Sequence, residues 1–107
     1  MTPQRGEIYL VRAQWRECVD IRPCVVVDVE PHGAVVLVAL ISAAIELYVP
    51  QQHLLIAADQ PDFRATGLRR DSYCSGAEMV RLPIQRLGKR LGRLEGGLAQ
   101  AFDAWIG

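Results

Sequence analysis

Apolar positions along this chain fall into short runs suited to strands, and only the last segment carries a helical stripe. The run GEIYLV, residues 6–11, is rich in β-formers and opens on a glycine, predicting a first strand. The polar stretch Arg12 to Ile21 reads as a loop leading to a second strand over Pro23–Val29, and Pro31-His32-Gly33 marks a turn. Ala34 to Ala43 is apolar almost throughout, which predicts a third strand buried on both faces. Tyr48, Val49 and Leu54–Ala57 predict a further strand interrupted at Pro50, where the missing amide implies a bulge or an edge. Asp59–Gly67 has loop composition, and Asp71–Leu82 reads as a strand weakened at Gly76 and closed by Pro83.

Two segments remain. The leucines of Gly88–Leu94 and the preceding Leu87 fit strand or helix, but Gly88 and Gly92 would each cost a helix about 1 kcal/mol, so a strand is favoured. Leu94, Leu98, Ala101, Phe102 and Trp105 recur at helical spacing and form one apolar stripe. Several short strands with one C-terminal helix predict a mainly β fold, a small, curled, mostly antiparallel barrel carrying the helix.

Composition narrows the class. At 107 residues the chain, 1–107, is expected to be a single domain with its own core. Basic and acidic residues balance, which argues against a DNA binder that works by bulk charge. The balance is uneven along the chain: residues 1–63 hold four basic and eight acidic side chains, residues 64–107 eight basic and four acidic. A local polyanion site is thus compatible with a neutral protein. Cys18, Cys24 and Cys74 are odd in number, at no metal-ligand spacing and without a secretory signal, which suits a reducing cytoplasm. The longest apolar stretch, Val35 to Ile45, is too short to span a bilayer, so no membrane association is expected.

The pair Arg22-Pro23 stands out as candidate chemistry. It places a cation immediately before the apolar run Cys24-Val25-Val26-Val27, where burying the charge unpaired would be costly. Proline presets its own φ and biases Arg22 toward extended backbone, so the guanidinium rides on a stiffened stem as an anion-binding group. A solvated or structurally paired arginine is the competing reading.

Four patterns occur in order: RGEIYLV near the start, Glu17 five residues before Arg22-Pro23, a serine closing the third strand in ALISA, and AEMVRL in the fifth strand. Together with the late KRLGRL segment and the terminal helix, they resemble the PemK/MazF family of bacterial toxins from type II toxin–antitoxin modules. The resemblance covers essentially the whole chain. It implies an SH3-like, PemK-type barrel, a homodimer, and metal-independent, sequence-preferring cleavage of single-stranded RNA without a cofactor. Attack by the 2′-hydroxyl would leave a cyclic phosphate and a free 5′-hydroxyl, which DNA cannot support. It also implies a cognate antitoxin whose disordered, often acidic tail covers the RNA groove.

Carried over by position, Arg22 would hold the scissile phosphate and stabilise the transition state, since its planar fork of donors matches phosphate oxygens. Ser42 would hydrogen-bond the phosphate or the attacking hydroxyl; the plain alternative is a serine bonded to backbone. Glu17 matches a loop glutamate that some members need for activity. Glu78 stands where one branch has an aspartate acting as proton acceptor, though a structural ion pair with Arg81 would explain it equally. The resemblance is incomplete there, because the branch's arginine two positions earlier is Gly76 and its following glutamine is Met79. Trp15, Arg16 and Arg81 are the candidate RNA contacts, Trp15 by stacking on a base or else by capping the core. His32 and His53 match no catalytic histidine of the family.

Two other functions fit the sequence. A catalytically inactive binding module would account for Gly76 and Met79. A gyrase-targeting toxin would use the aromatic end Trp105-Ile106-Gly107, which the apolar stripe of the terminal helix explains more simply.

Overall fold

The computed structural model describes residues 2–15 and 18–107. Among the described residues, six strands form one antiparallel sheet: β1 (Glu7–Trp15), β2 (Cys18–Val29), β3 (Val35–Ser42), β4 (His53–Ile56), β5 (Ser72–Pro83) and β6 (Leu87–Arg93). Helix α1 (Gly96–Ile106) follows β6, and short 3₁₀ turns lie at Ile45–Leu47, Phe63–Thr66 and Ile84–Arg86. The sheet order is β4-β5-β3-β2-β1-β6. The mainly β class with a C-terminal helix is as expected, including β6 as a strand. The sheet is curled but open, since its two edges, β4 and β6, are not hydrogen-bonded to each other.

Alternation of side chains gives the sheet two apolar faces. Ile8, Val25, Val27, Ala39, Ile41, Leu54, Ile56 and Cys74 point to an inner face, where Leu94, Leu98 and Phe102 complete the main core. Val11, Cys24, Val26, Val36 and Val38 form a second cluster on the outer face. β3 contributes to both clusters, as its unbroken apolar composition requires. On α1 the stripe is Leu98, Ala99, Phe102, Trp105 and Ile106. Leu94 is buried just ahead of the helix, whereas Ala101, expected on the stripe, faces solvent. The aromatic end is likewise engaged within the fold: the Trp105 indole N–H donates to the Gln52 carbonyl at 3.0 Å.

Two elements differ from the sequence reading. Arg12–Ile21, expected to be a loop, lies largely in the extended arms of a β1–β2 hairpin, paired in continuous register through Ala13↔Asp20, Gln14↔Val19 and Trp15↔Cys18. Backbone pairing extends there past the apolar core, so the polar composition gave no strand signal. Tyr48-Val49, expected to begin the fourth strand, lies outside it. The Val49 carbonyl accepts both the Gln52 and His53 N–H groups at 3.0 Å, closing a turn at Pro50, and β4 starts only at His53.

The return from β4 to the helix depends on close backbone contact. The 3₁₀ turn Phe63–Thr66 lies against β6 with Thr66 fully buried, and a Cβ on Gly92 would stand 2.1 Å from the Ala65 carbonyl oxygen. Asp62, just before this turn, accepts from the Gly97 N–H at 3.0 Å and caps α1 from a distant part of the chain. Gly92→Ala is therefore expected to cost about 1–3 kcal/mol through overpacking, read as a lower urea midpoint at unchanged m. An unchanged midpoint would mean that the turn moves away freely.

Candidate active site

Arg22 stands within β2, opposite Val11 of β1, and not at the strand's beginning. Pairing of β2 with β3 begins one residue after Pro23, at Cys24↔Leu40, because proline has no N–H to offer the neighbouring strand. The nearby Ile41 carbonyl instead accepts from Arg22 Nη2 at 3.3 Å. Continuing the register by two residues sets Arg22 opposite Ser42 on the outer face of the sheet. Sequence and strand geometry thus bring together the two residues separated by the β2–β3 connection.

Glu78 reaches the same place by a different route. β5 pairs with β3 at Ala39↔Met79 and again at Ile41↔Cys74, so Leu40 alone stands opposite the four residues Ser75–Glu78. Such a bulge bends the strand and redirects a side chain. The Ser75 hydroxyl accepts the Ala77 N–H at 3.2 Å inside it, and Glu78 Oε2 comes to 2.9 Å from Arg22 Nη2. Glu78 Oε2 is buried without an aligned hydrogen bond, so its contact with Arg22 is one of charge. The side chains remain 25% and 38% exposed, and solvent screens their attraction. The pair holds two opposite charges in a site that water still reaches.

Ser42 Oγ accepts from the Ala44 N–H at 3.1 Å, and the hydroxyl proton remains available to donate. On the other side of Ser42 lies Tyr73 of β5, its direct register partner. Tyr73 in turn faces Leu55 of β4, and His53 faces Ser75. Arg22, Ser42 and Tyr73 consequently form a row across three strands, continued by β4, on the face opposite α1. Sequence reasoning missed Tyr73 and His53 because only the β3–β5–β4 register places Tyr73 opposite Ser42 and His53 one strand further on; neither falls in a motif.

The remaining candidates are placed as follows. Arg81 is not the partner of Glu78: its Nη1 meets Glu30 Oε1 at 2.5 Å, and strand alternation turns it to the opposite side of β5. Arg16 and Glu17 lie outside the described residues, and of Trp15 only the backbone is described. Gly76 sits within the bulge with open space where a Cβ would stand, while Met79 packs against the main core. Among the described residues, no three His, Cys, Asp or Glu side chains converge, and no helix is long and apolar enough to cross a membrane.

Cys74 lies directly beneath this row. Burial foremost, with a smaller push from neighbouring negative charge, raises its thiol to about 12; burial does the same to Cys24. Raised values keep both residues as thiols throughout the physiological range, with roughly one molecule in 10⁴ ionised at pH 8. Alkylation at pH 8, mapped by peptide mass, should therefore leave Cys24 and Cys74 unmodified in the folded protein and label them after unfolding. Rapid labelling of Cys74 in the native state would contradict its enclosure.

Comparison with known proteins bears on the family and the fold. The family model of PemK-like, MazF-like toxins of type II toxin–antitoxin systems matches residues 4–106. Among solved structures, an endoribonuclease in complex with its cognate antitoxin from a mycobacterial species is 18% identical, with a TM-score of 0.68 over 98% of this chain and 91% of that one. The Mycobacterium tuberculosis toxin MazF-mt6 is 24% identical, with a TM-score of 0.66 over 92% of each chain. No curated protein sequence matches significantly.

Proposed function

Since this chain belongs to the PemK-like, MazF-like toxin family of type II toxin–antitoxin systems, we propose that it is an endoribonuclease toxin that cleaves single-stranded RNA. The observation that carries this reading is the position of Arg22, fixed within a strand yet still open to solvent, on the same face as Ser42. Arg22 is held by the Ile41 carbonyl and by a carboxylate it contacts without an aligned hydrogen bond. A phosphate oxygen offers the guanidinium a better acceptor than that carboxylate does. Substrate would therefore exchange the Glu78 contact for one to the scissile phosphate.

The reaction follows from these roles. The substrate's 2′-oxygen attacks phosphorus, the new P–O2′ bond forms as the P–O5′ bond breaks, and a 2′,3′-cyclic phosphate remains. The proton from the 2′-hydroxyl must be accepted, and the departing 5′-oxygen must gain one. Glu78, displaced from Arg22 but still beside it, accepts the first, Arg22 stabilises charge on the phosphorane oxygens, and the departing 5′-oxygen takes its proton from solvent water, which reaches the site. Ser42 orients the phosphate or the attacking hydroxyl. None of these steps requires a metal. In this reading Glu17 orients RNA or Arg22, Trp15 and Arg16 contact RNA, and Arg81 serves RNA only from the far side of β5.

The wider reading is a single-domain toxin, homodimeric and cytoplasmic, that a cognate antitoxin neutralises. One solved relative is itself an endoribonuclease bound to its antitoxin, which supports that pairing. Gly76 favours a second reading, in which the domain binds partners without catalysis. Arg22→Ala should lower the rate of RNA cleavage by roughly 100-fold or more while leaving the fold intact, and Arg22→Lys should recover only part of it. Fragments with cyclic phosphate ends from the wild type, lost in Arg22→Ala, support the enzyme. Intact RNA with purified wild type, free of antitoxin, supports the inactive module.

A further inference from the structure

The row that begins at Arg22 does not stop at Ser42. Tyr73, its register partner, is 5% exposed and lies beneath the His53 ring, the two centroids 4.7 Å apart and the planes 19° from parallel. Tyr48 closes the group at 6.2 Å from His53 and 6.1 Å from Tyr73. The ring of His53 is also fixed in direction, because its Nδ1 accepts the Val49 N–H at 3.0 Å. In the neutral ring the proton is consequently on Nε2, and that edge is a donor. The turn that carries Val49 is tied down in turn, through Gln52, by the Trp105 indole.

This arrangement has the properties of a recognition surface. It lies on the face away from α1, and its three rings belong to neither apolar core cluster. His53 and Tyr48 are only half-buried, and the same segment exposes Ile45, Leu47 and Val49. Exposed apolar groups concentrated in one stretch beside a polar site mark a surface that something covers. β4 lies two strand spacings from β3, roughly 10 Å from Ser42. A ligand bound through an anion at Arg22 would meet, across Ser42, a shelf of rings edged by a directed N–H donor. A flat, π-faced group with hydrogen-bond acceptors fits that shelf, and in an RNA strand that group is a nucleobase.

We infer that His53, supported by Tyr73 and Tyr48, reads one nucleobase of the RNA beside the cleaved bond and so helps set the sequence preference. This rests on the endoribonuclease reading. His53 is a specificity-determining residue, apart from the chemistry: it orients the strand without touching the reacting atoms. Stacking accepts any base, while the Nε2–H donor prefers a base with an acceptor on the edge it faces.

The test uses the full chain and a pool of single-stranded RNAs with randomised sequence, with cleavage sites read by end-sequencing. Kinetics follow on the preferred RNA. His53→Ala is expected to raise KM about tenfold with kcat changed much less, and to flatten the preference at a single position flanking the cut. His53→Phe, which keeps the aromatic group, should recover much of the KM without restoring that preference. Thermal melts of both variants identify any general loss of fold, and His53→Phe carries the test if the alanine variant melts early. An unchanged sequence profile and KM in both variants, with active wild type, overturns the role of His53 and leaves the endoribonuclease reading standing. Equal loss at every sequence position, with kcat falling instead of KM, also overturns it. A wild type that cleaves no RNA in the pool overturns both readings.

Discussion

Leu40 of β3 is the single residue opposite which four residues of β5 must pass, and the site depends on how they do so. A regular β5 would keep Ala39↔Met79 and run on in step, and Glu78 would then meet Leu40 with no extra reach. The bulge at Ser75–Glu78 absorbs the excess, returns β5 to register at Cys74, and lets Ser72–Ser75 pair with β4 on the far side. The carboxylate facing Arg22 and the aromatic group beyond Ser42 are two results of one backbone irregularity. Bulges of this kind cost pairing locally and gain direction for a side chain.

Proline does similar work on β2. Placed within a strand, Pro23 withholds a donor from the β3 side, and the Arg22 side chain occupies the Ile41 carbonyl. The guanidinium is therefore held by the backbone of its neighbouring strand as well as by its carboxylate partner. A cation held in this manner can keep its position while the anion opposite it changes.

Much of this was legible in the sequence, and the reasons differ by residue. Arg22-Pro23 and Ser42 mark their positions by chemistry that is unusual in apolar surroundings, and the apolar strand after Arg22 and the one ending near Ser42 were visible from composition, although β2 itself begins earlier, at Cys18. The partner of Glu78 was not visible, because Arg22 and Arg81 are equally plausible until the bulge decides which way the carboxylate turns. The β1–β2 hairpin was hidden since its outer half is held by backbone pairing, which leaves no periodic apolar signal. His53 and Tyr73 gave no sign of belonging together: they are twenty residues apart, and only the sheet order β4-β5-β3 makes them neighbours. Helix α1 was found correctly, though Ala101 shows that a small residue in phase with a stripe need not be part of it.

Gly76 looks at first like a defect in the fifth strand. Its backbone is not in a conformation reserved for glycine, and a side chain would extend into unoccupied space two residues before Glu78 in the same bulge. Core positions resist variation since every added atom displaces another; this one does not. Selection can therefore add charge or bulk at Gly76 in one mutational step without spending fold stability, and the local field around the arginine becomes a property that descendants of this sequence are free to adjust.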